Sequence, residues 1–216
     1  MSNTPNEQHS DMCMSENTIT VYGTGTIEAT PDIANAVIGA ETTSKSISEA
    51  QRENAETISA VVNTIHNIGI SNDNIQTADY RIEEEYTFEN NTKQFLGYKV
   101  THLLNVLIEP VQKTGAVLDA AVASGANTLS GIQFKIKHPE QYSQKALTLA
   151  IEQAREKAID IAVALKVQLP RTPHKVIEIE SSTPVYRMLS QYQGTPIQPG
   201  QLTIAASVKM IYVFPT

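Results

Sequence analysis

Between His138 and Val167 the chain reads HPEQYSQKALTLAIEQAREKAIDIAVALKV, and no other stretch limits the fold so strongly. Ala146, Leu147, Ala150, Ile151, Ala154, Ala158, Ile161, Ala162 and Leu165 recur at spacings of three and four, which is one face of a long helix. Pro139 takes the first helical position and Glu140 lies at the positive end of the dipole. A face so rich in alanine allows close approach to a sheet or to another helix. The outer face mixes Glu152, Arg155, Glu156, Lys157 and Asp160, whereas helices that lie on membranes favour basic faces. This is a helix that covers something else in the same protein.

The remaining sequence supplies strands to be covered. From Ile19 the apolar and small residues alternate (Ile19, Val21, Gly23, Gly25, Ile27), and after Pro31-Asp32 a second run, Ala34 to Glu41, is apolar on both faces; together they read as a first β-pair. A helix follows, with Ser46 and Glu49 spaced as a capping box and Gly69 as its stop. IQTADYRIEEEYTF and QFLGYKVTHLLNVLIE form two long antiparallel strands around an Asn-rich tip. PVQKTGAVLDAAVASGAN is a shorter helix with Val117, Leu118, Ala121 and Val122 on one stripe, ending at Gly125. LSGIQFKI, HKVIEIESS and QLTIAASVKMIYVF are strands. In the last of these Leu202 to Phe214 line one face, but Ile211 and Val213 make the other apolar too, so that face needs a cover. The expected fold is α+β: mostly antiparallel sheets packed with one long helix in each half, in the order ββαββ-αβαββ. Residues 1–17 read as a polar, disordered tail and 18–216 as the domain, with 18–109 and 110–216 as two intimate lobes.

Length and composition narrow the classes. A chain of 216 residues should bury roughly 70% of its unfolded surface, enough for an apolar core without staples. The lone Cys13 excludes a disulfide framework and a cysteine metal knuckle. A formal charge of −7 and the absence of a basic, aromatic-interleaved stripe argue against nucleic acid. Apolar runs are shorter than the roughly 18 residues of a membrane span. The first residues lack the features of a secretory signal, so the chain as given is expected in the cytoplasm.

The stretches GTGTIEATPDIANAVIGAET, GISNDNIQT, GYKVTHLLNVLIE, GAVLDAAVASGANTLSGIQF, ALTLAIEQAREKAIDIAVAL and IQPGQLTIAASVKMIYVF, in this order, resemble the SIMPL domain family. That largely bacterial group includes periplasmic immunogenic proteins. The residues that carry the resemblance are Gly23, Gly25, Pro31, Asp32, Gly69, Gly97, Tyr98, Gly125, Gly131, Pro199 and Gly200. Two departures stand out. The long helix of the family is usually followed by Leu-Gly, where ALKVQLPRTP has no glycine, and many relatives carry a leader absent here, as in the leaderless relatives of Gram-positive bacteria. The resemblance implies a whole-domain fold, ring- or channel-like oligomers in some members, a link to oxidative-stress tolerance in others and kinase binding in an animal member. It transfers no catalytic residue.

Chemistry is sparse. Gly23-Thr24-Gly25 resembles a phosphate loop, but such loops lead into a helix, whereas here Ile27 continues a strand; glycines in strands also admit a close neighbour. His9, His66, His102, His138 and His174 lack the close spacing of zinc ligands. In Glu83-Glu84-Glu85, alternation sends Glu84 to the opposite face from its neighbours, which suits a solvated hairpin better than a cation loop. No nucleophile elbow is present. The expectation is therefore no catalytic residue, metal or cofactor, and a chain whose partner is itself. The contact surfaces expected are the long hairpin, the C-terminal strand or the Pro-rich 183–200 loop, with Tyr186, Met188, Tyr192, Ile211 and Val213 as the candidate interface residues. A peptide- or ligand-binding module using that loop is the alternative, and an enzyme whose residues meet only in space is the third.

Overall fold

The computed structural model describes residues 17–89, 92–179, 185–187 and 199–215. In chain order the elements are β1 (Asn17–Ala29), β2 (Ile33–Ser44), α1 (Ile47–Asn67), β3 (Ile75–Glu89), β4 (Thr92–Ile108), α2 (Thr114–Ala123), β5 (Thr128–Lys135), α3 (Glu140–Leu165), β6 (Lys175–Ile179), β7 (Val185–Arg187) and β8 (Gln201–Phe214). The fold is α+β in the expected order, with one addition: β7, a short strand inside the Pro-rich connection.

Two four-stranded sheets are formed, β1-β8-β6 with β7 also on β8, and β3-β4-β2-β5. The expected pair of β1 and β2 is therefore not formed. Buried Pro31 and exposed Asp32 instead carry the chain from one sheet to the other. Asp32 explains why the chain does not fold back there. Its N–H donates to the Lys135 carbonyl at 3.2 Å, its carbonyl accepts from Val111 N–H at 2.9 Å, and its carboxylate accepts from Lys137 N–H at 2.7 Å. The turn residues thus tie the start of β2 to the end of β5 and to the segment after β4. A Pro-Asp signal tells that the chain redirects, and the partner of the next strand is decided elsewhere.

The chain forms two compact units that interleave along the sequence instead of dividing at 109 to 110. One holds the described residues of Met1–Ile27, Glu140–Pro184 and Ile204–Thr216; the other holds those of Glu28–Pro139 and Val185–Thr203.

In the first unit α3 lies on β1 and β8. Ile19, Val21, Val208, Met210 and Tyr212 form its core with Ala150, Ala154, Ala158 and Ala162. The helix face is narrower than its periodicity predicts: these alanines and Ala146 are at most 3% exposed, but Ile151, Ile161 and Leu165 lie outside. Only side chains the size of alanine fit where the helix backbone nearly touches the sheet, and the larger residues are pushed to its flanks.

In the second unit α1 and α2 cover β2 and β4. Ile38, Ile58, Val61, Ile65, Val106, Ile108 and Val117 are fully buried or nearly so. Val122, placed by periodicity on the inner stripe of α2, is instead exposed. Asn54 of α1 is buried, and its amide donates to the carbonyls of Ala40 at 3.0 Å and Val100 at 3.2 Å, pinning the helix to two neighbouring strands. The expected capping box is not made: Ser46 makes no side-chain cap bond, and Glu49 accepts from the Ser44 hydroxyl at 2.7 Å.

All three helices close with the same reversal. After α1, Gly69 N–H donates to His66 and Ile70 N–H to Ile65; after α2, Gly125 donates to Val122 and Ala126 to Ala121. After α3, Lys166 donates to Val163 and Val167 to Ala162. The pivot has φ of 95° at Gly69, 104° at Gly125 and 55° at Lys166. The glycine-less end of α3 is thus a left-handed cap built with lysine.

Candidate functional site

Gly23 and Gly25 belong to packing. β1 runs through both without leading into a helix, and a Cβ at Gly23 would overlap the Ala150 carbonyl while one at Gly25 would overlap that of Ala146. The glycines of β1 and the alanines of α3 are two halves of one close contact. Two α3 side chains also reach the outer border of β1. Gln153 Oε1 accepts from Thr24 N–H at 2.9 Å, and Lys157 Nζ donates to the Tyr22 carbonyl at 2.9 Å.

The other motif residues lie at register changes and at the entry to a strand. Gly97 and Gly131 stand beside irregularities in the β3–β4 and β2–β5 registers, with Tyr98 next to the first. Pro199 and Gly200 lead into β8. Of the candidate interface, Tyr186 lies in β7 and its backbone pairs with Leu202. Met188 and Tyr192 lie outside the described residues. Ile211 and Val213 are half-buried on the face of β8 opposite α3. That face also carries exposed Tyr22, with Lys209 Nζ 5.8 Å from its ring.

The described histidines lie on different segments, His66 in α1, His102 in β4, His138 before α3 and His174 before β6, and His9 lies outside the described residues. Among the described residues no group of three His, Cys, Asp or Glu side chains could hold a metal ion. His102 sits edge-on to Tyr80 at 5.2 Å and shares a hydrogen bond with Thr77. Partial burial holds its pKa below the ordinary histidine value.

The most conspicuous surface is one that periodicity did not single out. β2 stops pairing with β4 at Ser44 opposite Tyr98, whereas the β3–β4 ladder runs on to Glu89 opposite Thr92. The outer part is therefore a two-stranded arm. Along one side Tyr86, Phe95 and Tyr98 meet edge-to-face at 5.6 and 5.1 Å. Lys93 lies 3.6 Å over Tyr86 and Lys45 5.4 Å from the centre of Phe95. Phe88 is 74% exposed, and Ile82 and Leu96 are exposed as well. Glu84 hydrogen-bonds Tyr86, which raises the phenol pKa, while Glu85 accepts from Thr43 and Glu83 pairs with Arg81. The acidic run thus divides between environments as alternation predicts. The signal was present as Tyr86, Phe88, Phe95 and Tyr98 flanking the hairpin tip, but their meeting depends on register.

Among the described residues no helix is long and apolar enough to cross a membrane. The sequence profile of the SIMPL family, described as a protein of unknown function (DUF541), matches residues 19–212. The uncharacterized protein YggE of Escherichia coli K12 is 24% identical over 144 residues, covering 67% of this chain and 58% of the relative. The 26 kDa periplasmic immunogenic protein of Brucella melitensis is 29% identical over 223 aligned positions, covering 95% of this chain and 88% of the relative. With most of its described elements inside the matched span, and with the resembling stretches falling on β1 and β2, the turn after α1, β4, α2 and β5, α3 and β8, the chain belongs to the SIMPL family.

Proposed function

We propose that this chain is a non-enzymatic, self-assembling structural protein, and that copies associate through the aromatic arm of β3 and β4. The carrying observation is the arm itself. A two-stranded ribbon has little stability alone, and here it displays Phe88, Leu96, Phe95 and Ile82 to solvent. Exposed apolar patches of this kind mark interaction surfaces, and aromatic residues are enriched at interface centres. Lys45 and Lys93 alongside Glu84 and Glu85 give the arm both signs of charge, as self-complementary contacts between identical chains require.

Analytical ultracentrifugation tests this. At micromolar concentration the protein should sediment as an oligomer, and Phe88→Ser with Phe95→Ser should shift it to monomer without lowering its melting temperature. A strict monomer for the unaltered chain would sink the proposal.

A further inference from the structure

The lysine-built reversal after α3 leaves a cleft of about 270 Å³ between the helix end, the returning segment and β8. Ile159 and Val163 of α3 and Leu169 of the return form aliphatic walls, and Tyr212 lines the cleft from β8. The charged residues lining it are Arg155 and Arg171, with no carboxylate among the lining residues. This happens on a chain of net charge −7, where an acidic neighbour would be the default. Neither arginine has an ion-pair partner among the described residues. Tyr212 is only 1% exposed, yet its hydroxyl donates to the Met210 sulfur at 3.7 Å, a weak acceptor that an oxygen anion would outcompete.

Two guanidiniums without an ion-pair partner among the described residues, a poorly satisfied phenol and aliphatic walls describe a ligand with one planar anionic head and an apolar tail. The arginine fork matches a carboxylate in two parallel bonds. The volume is just below the roughly 300 Å³ at which drug-sized pockets begin, so the tail is short. We propose that this cleft binds a small aliphatic carboxylate, a short- to medium-chain fatty-acid anion, with its head on Arg155 and Arg171 and its chain along Ile159, Val163 and Leu169. The site lies wholly in the unit that contains α3, and so does not depend on assembly through the arm.

The test is an NMR titration of the full chain with octanoate, octanol and acetate. Octanoate should give saturable shifts confined to residues 155–171 and around Tyr212, at least tenfold tighter than octanol or acetate. Arg155→Gln with Arg171→Gln should weaken octanoate tenfold or more. Val163→Asp, at a position 71% exposed and so tolerant of change, should do the same and decides the matter if the double variant does not fold. Absence of octanoate shifts at this cleft, octanol binding equally well, or unchanged affinity in the variants would overturn the proposal.

Discussion

Lys166 holds a left-handed backbone where the other two helices use glycine. A side chain in that region costs about 1 kcal/mol or more, partly offset by the greater freedom glycine has when unfolded. Lys166→Gly should therefore stabilise the protein by about 0.5–1 kcal/mol, read as a higher urea midpoint. Gly23→Ala should do the reverse, costing about 3 kcal/mol through overpacking, because the new methyl meets helix backbone that cannot step aside. Gly115→Ala, in α2 with nothing within 4 Å, serves as the control and should be neutral or stabilising. His102 adds a pH dependence. Its folded pKa lies below the unfolded value, so between the two the unfolded chain binds more protons and stability falls as pH drops below the ordinary histidine range. His102→Gln should flatten that part of the melting-temperature profile, and equal slopes in both proteins would contradict it.

At the level of elements, what repeats locally was legible and what depends on partners was not. The long helix, the hairpin strands and the double-sided β8 follow from periods of 3.6 and 2 that each segment carries in itself. The separation of β1 from β2 does not, since it rests on Asp32 meeting Lys135 and Lys137 at the end of β5 and Val111 after β4. The buried face of α3 is narrower than its period implies for the same reason: Ile151 and Ile161 have the right period, but the glycines of β1 bring the backbone too near for them. Arg155 and Arg171 come to line one cleft only because the chain reverses at Lys166, and periodicity has no term for a reversal. The side chains that α3 lends to β1 give an element-scale expectation. Gln153→Ala with Lys157→Ala should leave the fold intact but increase light scattering on mild heating, because uncovered strand backbone templates association.

For the whole molecule, the interleaving of the two units sets what can be cut. Residues 28–139 contain all of β2 to β5 with α1 and α2, so this fragment should fold alone, with dispersed amide NMR signals. Residues 110–216 hold α3 and β8 without β1, so this fragment should remain largely unfolded. A well-folded 110–216 fragment would contradict the contact pattern described above. The guarding of β1 by Gln153 and Lys157 bears on how copies could add through that sheet. With one margin occupied by the protein's own helix, strand addition through this sheet would, among the described residues, have to use the opposite margin of β8, where β6 and β7 pair. The helix that completes the core thereby also covers the open backbone of β1, so any association of copies through the arm would not compete with strand addition there.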